Sequence, residues 1–91
     1  MDELIMLLNE LKNSDDKYLQ NCGKNIEECI ANFENGSIPE PLCRSYLQDI
    51  RDLIELDRLR YKIKNLALAQ KIIDYISIMI SNGIANFIKK I

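Results

Sequence analysis

Residues 55–69 read ELDRLRYKIKNLALA, and the fold turns on how this stretch is read. Arg58, Arg60, Lys62 and Lys64 stand at alternate positions, after which charge gives way to Leu66, Ala67, Leu68 and Ala69. Neither Gly nor a further Pro follows Pro41 before this point. The stretch is therefore predicted to lie within one long helix, from about Pro41 to about Ala69, roughly 40 Å in length at the α-helical rise. On that helix Leu56, Leu59, Ile63 and Leu66 continue a buried stripe, and the small Ala67 and Ala69 let another helix approach. The bases form two ridges, Arg58 above Lys62 and Arg60 above Lys64, with Arg51 extending the first. Glu55 lies within reach of Arg58 and Asp57 within reach of Arg60, so part of the positive potential is expected to be cancelled locally.

Working backwards, the clear linker is GSIPEPL, Gly36 to Leu42. Pro39 and Pro41 push the residues before them toward extended geometry, and Pro41 suits the first turn of a new helix. Before the linker, Tyr18, Cys22, Ile26, Cys29, Ile30 and Phe33 share one helical face, and Asn35-Gly36 ends that helix because Gly accepts a left-handed conformation. Gly23 inside it permits a bend. Ser14 is the predicted cap, followed by Asp15 and Asp16, whose charge favours a helix N-terminus. A further helix runs from Asp2 to about Lys12, with Leu4, Leu7, Leu8 and Leu11 at helical spacing. Asn13-Ser14 fits either a kink in one helix or the turn of a hairpin.

Working forwards, Gln70 to Lys90 places Ile73, Ile76, Ile80, Ile84, Phe87 and Ile91 at steps of three or four. Ile76, Ile78 and Ile80 also alternate with Ser77, Met79 and Ser81, a strand-like period, but the helical pattern spans the whole segment and is preferred. Ile78 and Tyr75 fall outside the apolar face. The predicted fold is all-α: a small four-helix bundle-like domain spanning residues 1–91, with a loop at about 36–41 and one long helix after this Pro-containing loop.

The totals fit that picture. A chain of 91 residues is one domain with a modest core, one that a partner would help to complete. The net charge of −2 conceals a division: Met1 to Glu40 holds nine acids and three lysines, whereas Pro41 to Ile91 holds five acids and nine bases. Two such halves attract each other within a monomer, across an oligomer, or toward different partners. The N-terminus mixes acids into its apolar run, unlike a signal or transit peptide, and the longest uncharged run is too short to span a membrane. A soluble, cytoplasmic chain is the expectation.

Chemistry finds little purchase. There is no histidine, no paired nucleophile and base, no phosphate-cradling glycine loop and no metal motif, so no catalytic residue, cofactor or metal is expected. Cys22, Cys29 and Cys43 lack CxxC spacing, and on one helix Cys22 and Cys29 lie about 10.5 Å apart, beyond disulfide reach. Reduced core thiols are the expectation. Two surfaces remain. Ile73, Tyr75, Ile76, Ile78, Ile80, Ile84 and Phe87 form a candidate protein interface on the last helix. Arg51, Arg58, Arg60, Lys62 and Lys64 are candidate phosphate or partner contacts, since a helix can present bases to a nucleic-acid backbone.

The segment NGSIPEPLCRSYLQDIRDLIELDRLRYKIKNLALAQ, Asn35 to Gln70, resembles the α-helical domain of GINS subunits, particularly the archaeal type. Pro41 and Tyr46 match the loop and early-helix positions, and Arg60, Lys62, Ile63, Leu66 and Ala67 approximate a later Arg-x-x-Lys-Ile-x-x-Leu-Ala pattern. The Arg-to-Lys spacing is one residue short, and the 91 residues given do not include the family's small β-rich second domain. The resemblance implies a non-catalytic scaffold subunit of the replicative helicase, with other GINS subunits, MCM and Cdc45-like proteins as partners. Two alternatives remain: a small nucleic-acid binder using the basic ridge, and an adaptor or immunity-type protein recognising one protein partner through Tyr75 and Ile78.

Overall fold

A computed structural model describes the backbone of residues 2–89 and the side chains of residues 3–86. The described residues are all-α and form five helices packed around one core: α1 Asp2–Lys12, α2 Lys17–Glu34, α3 Glu40–Leu59, α4 Leu66–Asn82 and α5 Ile84–Lys89. Successive helices pack on one another, and α5 rests on α4 and α3. No helix among the described residues is long and apolar enough to cross a membrane.

Asn13 to Asp16 form the turn of a hairpin rather than a kink. Asp16, not Ser14, caps α2: its Oδ1 accepts from the Tyr18 backbone N–H at 3.0 Å, while the Ser14 hydroxyl accepts from the Asp16 N–H at 3.1 Å. The carboxylate sits at the positive end of the helix dipole, where its charge is favoured over a neutral hydroxyl. Gly23 serves this hairpin. A Cβ there would lie 2.9 Å from the Leu11 Cβ, so the glycine lets α1 approach α2 closely. The buried face of α2 begins at Leu19, with Cys22, Ile26, Cys29 and Ile30 beyond it, whereas Tyr18 is exposed.

Helix α2 ends as predicted at Asn35-Gly36. The Gly36 N–H bonds to the Phe33 carbonyl and the Ser37 N–H to the Asn32 carbonyl, with Gly36 at φ +82°. This is a Schellman closure, which satisfies carbonyls the helix would otherwise leave without partners. Pro39 is the N-cap of α3, and Pro41 lies in its first turn.

The predicted long helix from Pro41 to Ala69 is broken. Helix α3 stops at Leu59 with a second Schellman closure: the Tyr61 N–H bonds to the Arg58 carbonyl and the Lys62 N–H to the Asp57 carbonyl. Tyr61 takes the left-handed position that Gly36 takes in the first, at φ +58°. Nothing in its side chain announces this, because a tyrosine in that conformation is strained. Burial of Ile63 anchors the connection. Asn65 then caps α4, its Oδ1 accepting from the Leu68 N–H at 3.1 Å. The connection is also tied to the first hairpin, because the second carboxylate oxygen of Asp16 accepts from the Lys64 N–H at 2.8 Å.

The last segment is helical, but it begins at Leu66 and is interrupted at Gly83, whose φ is +87°. The isoleucine-serine alternation belongs to this helix; Ser77 turns its hydroxyl back onto the Ile73 carbonyl at 2.9 Å. Leu68, Ala69, Ile72, Ile73, Ile76, Met79 and Ile84 join the core, and Ala67 remains at the surface.

Candidate docking surface

The break between α3 and α4 decides which residues of the opening stretch face solvent. Of the expected buried stripe, Ile63 alone is buried. Leu56 is exposed, Leu59 is 71% exposed, Leu66 55%, and Tyr61, held outward by its left-handed backbone, 92%. On a continuous helix Leu59, Ile63 and Leu66 would have shared a face; the closure at Tyr61 rotates Leu59 and Leu66 away from Ile63. Three large exposed apolar side chains thus lie at the end of α3, in the connection and at the start of α4.

The bases alternate with them along the chain, though not as ridges. Lys62 and Lys64 lie outside any helix, so Arg58 does not stack above Lys62, nor Arg60 above Lys64. Arg60, Lys62 and Lys64 are exposed. The Lys62 ammonium lies 5.9 Å from the centre of the Tyr18 ring, within cation–π range. Arg58 is half-buried and donates to the Gln70 side chain, rather than pairing with Glu55. Arg51 stands apart: its Nε lies 3.5 Å from Asp52 and its Nη1 donates to the Ser77 hydroxyl at 3.4 Å. The pairing expected of Asp57 with Arg60 is likewise not among the ion pairs of the described residues, which join Lys12 to Glu27, Arg44 to Glu40, Arg51 to Asp52 and Lys71 to Glu10.

The opposite charges of the two halves do meet. Lys71 of α4 reaches Glu10 of α1 at 3.0 Å, and Asp16 binds the connection through the Lys64 backbone. Between them an open cleft of about 560 Å³ is lined by Glu10, Asp15, Asp16, Lys64 and Asn65. The N-terminal acids therefore flank the basic connection without covering it.

The interface expected on the last segment is mostly consumed within the chain. Ile73, Ile76 and Ile84 are buried among the protein's own helices, and Tyr75 and Ile80 are half-buried against the same core. Ile78 alone of this set is exposed, and the Phe87 side chain lies outside the described residues. Five helices packed together leave α4 no free apolar face of the expected width, because α3 and α5 cover it. Leu56, Leu59 and Leu66 were expected in the buried stripe and not at the surface, and no expectation was attached to Tyr61. The interleaving of an aromatic and leucines with bases was the available signal, but helical periodicity assigned the leucines to the core.

Among the described residues no cluster of three or more Cys, His, Asp or Glu side chains could hold a metal ion. Comparison of the chain with protein-family models, with curated proteins and with solved structures found no match.

Proposed function

We propose that this chain is a non-catalytic helical interaction module that docks a protein partner through the α3–α4 connection. The observation that carries the reading is the outward projection of Leu59, Tyr61 and Leu66 among Arg60, Lys62 and Lys64. Exposed apolar side chains interleaved with exposed bases fit a partner segment that is apolar along one face and acidic at its margins. Tyrosine is well suited to such a site, since it offers a large contact area with few rotatable bonds. Its left-handed backbone is a local cost of the kind that gathers at functional positions.

The resemblance of residues 35–70 to GINS helical domains gives this module a specific form, a scaffold subunit within a replicative helicase assembly. Its matched positions Arg60, Lys62, Ile63, Leu66 and Ala67 run from the end of α3 through the connection into α4.

A second reading is single-stranded nucleic acid, because an exposed aromatic beside bases is a stacking platform with phosphate contacts. Protein docking is preferred because two of the three projecting side chains are leucines, which offer a base no aromatic face. Photo-crosslinking decides between them. A benzoylphenylalanine at position 61 is expected to give a discrete protein adduct in cells that express the chain, and the same probe at exposed Lys24 is not. Adducts destroyed by nuclease, with binding that collapses as salt rises, would transfer the site to nucleic acid. Equal labelling at both positions would remove the site altogether.

A further inference from the structure

The sequence separates Cys29 and Cys43 by a turn and two prolines, yet the fold brings their Sγ atoms to 3.4 Å. Cys29 lies near the end of α2 and Cys43 in the first turns of α3, and both are buried, Cys29 to 7% exposure and Cys43 to 0%. Each thiol also lies near the other residue's carbonyl oxygen, at 3.6 Å from Cys29 and 3.9 Å from Cys43. Packing of α2 on α3 therefore fixes the pair on both sides. Cys22 has no such neighbour.

Access to the pair is one-sided. A groove of about 310 Å³ runs between α2 and α3, and Cys29 lies in its lining with Asn32, Tyr46 and Ile50, while Glu28 and Asp49 add carboxylates. Cys43 does not line the groove. A small reagent entering it meets Cys29 first, with Cys43 behind.

We propose that Cys29 and Cys43 are a dithiol–disulfide pair, with Cys29 as the attacking thiol and Cys43 as the resolving thiol, oxidised by small disulfides that enter the α2–α3 groove. Cys29 gives its proton to solvent, and its thiolate attacks one sulfur of the reagent. One reagent thiolate leaves, takes a proton from solvent, and a mixed disulfide stands at Cys29. Cys43 then loses its proton and attacks the Cys29 sulfur, expelling the second reagent thiolate, which is protonated in turn. Two protein thiols are oxidised and one reagent disulfide is reduced to two thiols.

Burial holds both thiols protonated at neutral pH. Burial pushes the Cys43 thiol up to about 12, with the hydrogen bond and charge of Cys29 adding to it. Burial also raises Cys29, but its hydrogen bond with Cys43 acts in the opposite direction. Access sets the order, because Cys29 lines the groove and Cys43 does not. The carboxylates of Glu28 and Asp49 favour neutral or cationic reagents over anionic ones.

The test is native oxidation of the full chain with hydroxyethyl disulfide, a neutral reagent. Free thiols are expected to fall from the three present to Cys22 alone, with an intact mass lower by two hydrogens and a proteolytic fragment joining Cys29 to Cys43. The bond closes a short loop around Gly36 and Pro39, so Tm is expected to rise by roughly 10 °C. The anionic glutathione disulfide is expected to react more slowly. Cys22→Ala is expected to lose the same two hydrogens, and Cys43→Ser to retain one reagent group at Cys29. Three alkylatable thiols after treatment, a stable reagent adduct on the unsubstituted chain, a bond involving Cys22, or a disulfide between two chains would each overturn the proposal. These readouts on the unsubstituted protein decide the matter even if Cys43→Ser fails to fold.

Discussion

Single side chains carry the turns that define this molecule. Asp16 uses both carboxylate oxygens, one to cap α2 and one to hold the Lys64 N–H of the distant connection. Removing it leaves two backbone donors without these partners. Asp16→Ala is therefore expected to lower stability by about 1–3 kcal/mol, measured as a shift in urea midpoint, and Ser14→Ala by less. Tyr61 works in the opposite sense. Its left-handed backbone at φ +58° costs a non-glycine residue about 1–2 kcal/mol. Tyr61→Gly relieves that strain but enlarges the unfolded chain's freedom, so a net gain of about 0.5–1 kcal/mol is expected. The same change removes the most exposed aromatic of the docking surface. More stable protein with weaker partner binding is the expected combination, and a loss of stability would show that the ring contributes packing the fold depends on.

At the scale of helices, spacing and closure competed. The apolar faces of α1 and α2 were legible because their periodicity is uninterrupted and a polar turn or a glycine ends each one. The end of α3 was not legible. Arg60-Tyr61 carries no glycine or proline, and the break is sustained by long-range contacts: burial of Ile63 and the bond from Lys64 to Asp16. The expected ridges of bases and the buried positions of Leu59 and Leu66 failed with that helix. Gly23 shows the converse, a residue whose meaning lies in its neighbour. It reads as a weak point in α2, yet it marks a close approach of α1. Gly23→Ala would add about 1 kcal/mol of helix propensity, but its Cβ would press on the Leu11 Cβ at 2.9 Å. Overpacking of that kind costs about 1–3 kcal/mol, so a net loss of about 1 kcal/mol is expected in chemical denaturation. An unchanged or raised midpoint would mean that α1 shifts freely.

Across the whole molecule, 35 × 23 × 21 Å in extent, one core buries Ile73, Ile76 and Ile84, three of the isoleucines expected to meet a partner. It has also absorbed three thiols, and this sets an alkaline limit. Burial, with the charges of Asp57 and Asp16, pushes Cys22 up to about 11, and burial pushes Cys43 up to about 12, from an ordinary 9.0. A raised folded-state value means that the unfolded chain releases the proton first as pH climbs. The contribution of these thiols is complete below about pH 9 and is lost as pH rises toward 11–12. Urea midpoints between pH 8 and 11 are expected to fall, and to fall less steeply in Cys22→Ala; parallel slopes would contradict the assignment. Local sequence was enough for the all-α class, the Asn35-Gly36 stop and the helical nature of the isoleucine-rich segment, while the choice between kink and hairpin at Asn13-Ser14 was left to the fold. The first three depend on local periodicity or on the conformational range of one residue. Only the tertiary structure decided the break at Tyr61, the exposure of Leu59 and Leu66 and the meeting of Cys29 with Cys43. Those depend on which surfaces the helices bury against one another, a choice made by contacts between residues far apart in the chain.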